Sequence, residues 1–323
     1  MCTAITFKTK DHYFGRNLDL EYHYDEAITI TPRNYPLNFR CNDSINIHYA
    51  MIGMATVVDD YPLYYDATNE KGLSMAGLNV PGNAVYHPKK ENCDNIAPFE
   101  FIPWILAQCA TITEAEYLLK QINLTDISFN DRYLQSPLHW IISDCERSLT
   151  VESMADGLHV SDNPVGVLTN NPPFAFHMHN LVNYLNVTHR EPENRFSNTL
   201  KLEPYSRGMG AIGLPGDLSS ASRFVRASFT KLNSLCGTSE SESISQFFHI
   251  LGSVIQQNGC VQINHAFEKT IYSSCCNTRT CAYYYTTYEN SQISCVCLFN
   301  EDLEKEVLIS YPLIRTQQIN MVN

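Results

Sequence analysis

Four β-rich segments close the chain with no helix among them: residues 269–275, 281–288, 292–299 and 306–311, dense in Tyr, Thr, Val and Ile. Parallel neighbours would need a long crossover between each pair, so the run reads as an antiparallel meander. Further strands are expected at 3–7, 27–31, 47–58 and 73–78. Segments 138–143 and 148–154 are joined by the polar turn Asp144-Cys145-Glu146-Arg147, which predicts a hairpin. Helices are fewer. Segment 243–257 carries Ile244, Phe247, Phe248, Leu251, Val254 and Ile255 on one stripe. Segment 113–122 opens with Thr113-x-x-Glu116, the spacing of a capping box. A helix at 98–109 should bend at Pro103, and a fourth is expected at 221–233. Strands in runs, with helices gathered between them, predict an α+β domain of antiparallel sheets covered by helices. No repeat or long Pro/Gly/Ser linker divides the chain, so one domain over 1–323 is expected.

Charge and composition narrow the function. The net charge of −12 leaves no basic face for a phosphate backbone, so nucleic acid is excluded as a general partner. No window approaches 18 unbroken apolar residues, and no membrane span is predicted. The start, MCTAITFKTKDHYFGRN, lacks the basic and long apolar regions of a secretory signal, so residence in the cytoplasm is expected. Twelve cysteines then read as reduced thiols, mostly buried as small hydrophobes. None are paired at C-x-x-C spacing, and neither a metal nor an organic cofactor is expected.

Three pattern matches carry no function. Gly208-Met-Gly210-Ala-Ile-Gly213 fits a dinucleotide fingerprint, but Leu214-Pro215-Gly216 stops the helix that fingerprint requires. Gly72-Leu-Ser74-Met-Ala76 lacks the second glycine of a nucleophile elbow. His177-x-His179 has no acidic or thiol partner at ligand spacing and reads as a surface-loop pair.

The chemistry is concentrated at the front. Removal of the initiator methionine would make Cys2 the first residue, joining a thiol nucleophile to a free α-amine that can serve as its base. Thiols and α-amines have reference pKa values of roughly 8.5 and 7.7–8.0, both within reach of neutral pH. Phe14-Gly15-Arg16-Asn17-Leu18-Asp19 then supplies a cation and a carboxylate three residues apart. Alone, Arg16 and Asp19 read better as a surface pair worth about 0–1 kcal/mol. Asn79, before Val80-Pro81-Gly82, and Asn170, before Asn171-Pro172, could each merely build a turn.

Taken in order, these segments together with Leu138-His139-Trp140, Gly213-Leu-Pro-Gly-Asp217, Ser222-Arg223-Phe224-Val225-Arg226 and Phe247-Phe248-His249 resemble the choloylglycine hydrolase family. That family of N-terminal-nucleophile amidases includes bile salt hydrolases and penicillin V acylases, and the resemblance runs the length of the chain. It implies a four-layer αββα sandwich and a homotetramer. It implies Cys2 as nucleophile, Arg16 beside the thiol, Asp19 orienting the α-amine, Asn79 and Asn170 binding the oxyanion, and Arg223 as a second active-site arginine. Asparagine at 79 accompanies the bile salt branch, whose substrates are glycine- or taurine-conjugated bile acids; tyrosine there accompanies penicillin V acylases. A steroid needs an apolar slot with few polar anchors, and Leu18, Tyr24, Tyr61, Tyr65 and Leu138 are candidates to line it. Alternatives are another N-acyl amidase, a non-catalytic bile-acid binder and an internal Cys-His thiol protease.

Overall fold

Antiparallel pairing dominates the computed structural model, which describes residues 1–323. The first strands are β1 (Cys2–Lys8), β2 (His12–Leu20), β3 (Ala27–Thr31), β4 (Met51–Val58), β5 (Tyr61–Asn69) and β6 (Ser74–Asn79). A short parallel pair, β7 (Asp94–Ile96) and β8 (Ile122–Leu124), brackets α1 (Phe101–Gln108) and α2 (Ile112–Leu119). Next come β9 (Leu138–Ser143), β10 (Ser148–Met154), β11 (Gly157–Asp162), β12 (Val167–Leu168) and α3 (Phe174–Asn180). The chain ends with α4 (Ser220–Asn233), α5 (Glu240–Gly252), β13 (Val261–Ile263), β14 (Ala266–Asn277), β15 (Ala282–Thr287), β16 (Ser294–Cys297) and β17 (Ile309–Pro312).

One sheet has the order β12-β1-β2-β14-β15-β16 with β13 on β14; the other runs β11-β10-β9-β6-β5-β4-β3-β17. Helices α4 and α5 pack on the outer face of the first sheet, and α1 packs on β5 and β6 of the second. One core cluster joins the two sheets to α4 and α5, with Ile5, Phe14, Ile52, Phe224 and Phe247 among its fully buried members. A second lies under α1 and α2 around Phe101, Ile105 and Trp140. The layers are therefore α, β, β, α, as the family resemblance implies.

Several elements differ from expectation for identifiable reasons. Strand β2 is buried on both faces, so Arg16, Asn17 and Asp19 disguise it as a polar connection. Helix α2 is capped two residues earlier than Thr113: Thr111 accepts Glu114 N–H, and the Glu114 carboxylate accepts Ala110 N–H. Ile122 lies in β8 and not in the helix. Helix α5 starts at Glu240 behind a reciprocal Ser239/Glu242 capping box and ends at Gly252, leaving Val254 and Ile255 outside it. Pro103 falls in the first turn of α1, where no intrahelical N–H is lost, and the helix runs on through it to Gln108. The last strand leaves the meander: β17 pairs with β3 in the other sheet. Residues 47–50 precede β4 as irregular chain.

His12 ties the two sheets together between Ser143 Oγ at 3.2 Å and Thr278 Oγ1 at 3.3 Å. Burial pushes its pKa down to about 4. The unfolded chain protonates His12 near 6.5 and the folded chain near 4, so its contribution to stability is present above 6.5 and lost as pH falls to 4. The window corresponds to roughly 3 kcal/mol at most. His12→Gln, which can keep both contacts, is expected to flatten the loss of stability over that range in denaturant titrations; an unchanged slope would remove His12 as its source.

Candidate active site

The register of one ladder builds the site. Cys2 faces Leu18 and Ala4 faces Arg16 across β1 and β2, and antiparallel partners point to the same side of a sheet. Cys2, Arg16 and Leu18 therefore turn toward the second sheet, while Thr3, Asn17 and Asp19 turn toward α4 and α5. Contacts agree with this parity: Arg16 donates to the carbonyls of Tyr65 (2.9 Å) and Gly77 (2.6 Å), whereas Asn17 donates to Leu251 of α5 (3.0 Å). Gly15 allows the close approach. A Cβ at Gly15 would lie 2.0 Å from the Ser274 carbonyl oxygen.

On the inner face, the second terminal nitrogen of the Arg16 guanidinium is buried without a hydrogen-bond partner. Burial alone would depress this group. The ionisable groups around it, Cys2 first and then Tyr272, Asp66 and, from the opposite face of the sheet, Asp19, outweigh burial and hold it raised. Asp66 is itself buried and accepts from Tyr272 Oη (2.6 Å), Tyr283 Oη (2.7 Å) and Ser274 Oγ (3.3 Å). A bulge between Thr270 and Tyr272 turns Tyr272 inward to make that bond.

On the outer face, Arg223 in the first turn of α4 is fully buried. It donates to the Cys2 carbonyl, to Thr3 Oγ1 (2.7 Å), to Asn170 Oδ1 (2.8 Å) and to the Leu218 carbonyl (3.1 Å). Asp19 Oδ1 accepts from Thr270 Oγ1 (2.6 Å), and its Oδ2, 4.0 Å from Arg223, has no hydrogen bond. Burial pushes the Asp19 carboxyl up and the Arg223 guanidinium down, each countered by the other. Asn170 closes the knot. Its Oδ1 accepts Cys2 N–H at 2.7 Å and its Nδ2 donates to the Asn79 carbonyl at 2.7 Å, while Ser220 Oγ of α4 accepts Asn170 N–H at 2.8 Å.

Met1 extends the ladder by one residue. Asp19 N–H donates to the Met1 carbonyl (2.9 Å), and the Met1 amine donates to the Asp19 carbonyl (2.7 Å) and pairs with the buried Glu268 carboxylate.

Cys2 and Arg16 open onto a cavity of about 320 Å³, lined mainly by apolar side chains. Leu18, Tyr24, Tyr65 and Leu138 line it as expected, and Asn79 reaches it from the end of β6. Tyr61 does not. Its buried ring stands behind the wall, edge-on to Phe99 at 5.7 Å and against Phe129 at 5.8 Å. The outer wall is the loop containing Phe129, Arg132, Tyr133 and Leu134, which the sequence reading missed because a loop aromatic carries no periodic signal. The His177-x-His179 reading is also corrected. Both residues sit on α3, where His179 is exposed but His177 is buried, stacks on Phe224 (4.7 Å, 19°) and lies 2.9 Å from the Asn170 carbonyl. Thus the six expected catalytic residues converge, and Arg226 lies outside, donating to the Asp217 carbonyl.

A cysteine at the head of the first strand, set between facing sheets with helices outside both, is the arrangement of the N-terminal-nucleophile hydrolase fold. Residues 2–311 match the family described as linear amide C–N hydrolases, choloylglycine hydrolase family, and the chain belongs to it. It is 53% identical to a bile salt hydrolase/transferase of Lactiplantibacillus plantarum, with both chains covered in full. It superposes on a crystal structure of a variant conjugated bile acid hydrolase from Clostridium perfringens with a TM-score of 0.93, at 36% identity and full coverage of both chains. Penicillin V acylase from Agrobacterium tumefaciens shares the fold, with a TM-score of 0.75 at 18% identity over 96% of this chain and 91% of that one.

Removing Arg223 would leave Asp19 as an uncompensated buried charge. Arg223→Met is expected to cost about 3–5 kcal/mol in urea denaturation. The double variant Asp19→Asn/Arg223→Met should recover part of that loss; a double variant no more stable than the single would show that the pair is not the cause.

Proposed function

We propose that the chain, once trimmed of Met1, hydrolyses the amide of glycine- or taurine-conjugated bile acids through a thioester on Cys2. The observation that carries this reading is the placement of the Cys2 thiol and the Arg16 guanidinium on the floor of an apolar cavity, with the Cys2 nitrogen held by Asn170. The Cys2 amine takes the thiol proton as Sγ attacks the substrate carbonyl carbon. The side-chain amide of Asn79, which has no partner within the chain, and the second N–H of Asn170 Nδ2 then stabilise the oxyanion. Collapse expels the amine, which leaves with the proton held by the Cys2 ammonium. Water, deprotonated by the same amine, attacks the thioester and releases the bile acid. Arg16 compensates the charge on sulfur, and Asp19 with Arg223 fixes the strand that carries the amine.

The similarity to bile salt and conjugated bile acid hydrolases supports the steroid substrate. So does the aromatic wall, where the Phe99 and Phe129 rings meet edge to face at 5.2 Å. At the mouth, Arg132 supplies the local positive charge that a protein of net −12 needs to receive an anionic conjugate. The reading includes cytoplasmic residence, supported by twelve unpaired cysteines, and a homotetramer. Exposed Leu185, Phe196, Tyr205 and Leu235 support an assembly surface. No helix is long and apolar enough to cross a membrane.

The test compares kcat/KM for glycocholate and penicillin V on protein shown by intact mass to lack Met1. A strong preference for glycocholate is expected. A preference for penicillin V would overturn the substrate but keep the chemistry, and binding without turnover would favour a carrier. Asn170→Ala should remain folded and lose about 10²–10³ in kcat; unchanged turnover would remove Asn170 from the mechanism.

A further inference from the structure

Asn170 contacts Cys2, Arg223 and Asn79 at once, yet it lies in irregular chain after β12, with no sheet partner to hold it. Ser220 Oγ accepts its N–H, and two buried histidines hold the carbonyls on either side. His139 Nε2 lies 2.8 Å from the Thr169 carbonyl, and His177 Nε2 lies 2.9 Å from the Asn170 carbonyl. A carbonyl can only accept, so both Nε2 atoms carry protons. His177 Nδ1 is buried without a partner, and burial lowers the pKa of that ring, so it is held as the neutral Nε2–H form.

Both histidines depend on Glu152. Glu152 is the cross-strand partner of His139, and its Oε1 lies 3.0 Å from His139 Nδ1. The same carboxylate accepts the Phe174 N–H at 3.1 and 3.3 Å, fixing the start of the helix that carries His177. Glu152 is buried, and one proton must lie between its Oε1 and His139 Nδ1, because Nε2 already donates to Thr169. We propose that Glu152 is a positioning residue for Asn170, acting through His139 on one side and through Phe174 and His177 on the other. It touches no substrate and lies outside the cavity lining; its effect is to fix the carboxamide that orients the Cys2 nitrogen.

The inference rests on the amidase reading, and its test separates the two. Misplacing a catalytic group by about 1 Å can cost on the order of 10² in rate. Glu152→Ala should therefore lower kcat about 100-fold per titrated Cys2 thiol, with KM changed by less than about twofold. Glu152→Gln can donate to His139 Nδ1 and accept from Phe174, so it should restore kcat to within about tenfold of the unsubstituted enzyme. A purely structural role would instead lower the titratable Cys2 fraction and leave kcat per thiol unchanged, which overturns the proposal. So would equal losses in the Gln and Ala variants. If Glu152→Ala does not fold, His177→Phe keeps the stack on Phe224 and loses only the bond to Asn170. Its kcat per thiol should fall at least about tenfold, and an unchanged value is refuting. If the unsubstituted protein turns over no N-acyl amide, the functional reading fails alone. Crystals of the same variant then decide, and an unmoved Asn170 carboxamide overturns the clamp.

Discussion

The pairing of β1 with β2 is the constraint on which the site depends. With Cys2 opposite Leu18, the thiol and Arg16 face the cavity, while Thr3 and Asp19 face Arg223. A slip of one residue would turn every one of these side chains to the wrong side. The register is secured where the strands are most crowded. Gly15 meets the Ser274 backbone, and Arg16 N–H is capped by Ser274 Oγ at 3.1 Å, so β14 admits the arginine strand in one position.

Two fully buried guanidiniums flank that ladder, and they are compensated differently. Arg16 rests largely on backbone carbonyls, with the buried Asp66 carboxylate among the groups that hold it charged. Arg223 is tied to Asp19 and spends its hydrogen bonds on groups that fix Cys2 and Asn170. The first arrangement leaves a buried guanidinium nitrogen without a partner; the second fixes the backbone that carries the thiol.

Legibility in the sequence followed the range of the interactions. The β9–β10 hairpin and β3 were readable because turn chemistry and β-branched runs act locally. Strand β2 was not, since its polar residues are matched by distant partners, such as Ser273 on Asn17, 256 positions away. That β17 joins β3 is likewise decided by tertiary packing. At the site, Cys2, Arg16, Asp19, Asn79, Asn170 and Arg223 were named from an ordered resemblance, and no spacing rule would have gathered them. His139 and His177 were noticed, but their link to Glu152 and Asn170 was not, because a buried polar network has no periodic signature. Tyr61 was misplaced because an aromatic one layer behind a wall reads the same as one on it.

The nucleophile and the acyl slot belong to different parts of the fold. Cys2 and Arg16 come from the first sheet, and Arg223 from the helix behind it. The cavity wall comes from β5, β9, the segment around Phe99 and the loop around Phe129 and Tyr133. Asn79 and the carbonyls of Tyr65 and Gly77 reach across from the second sheet to Asn170 and Arg16. Bulk and polarity can therefore change, residue by residue, at Phe99, Phe129, Tyr133 and Leu134, which make no hydrogen bond to Cys2, Arg16 or Asn170. Such a molecule can drift between acyl groups while its reaction stays the same.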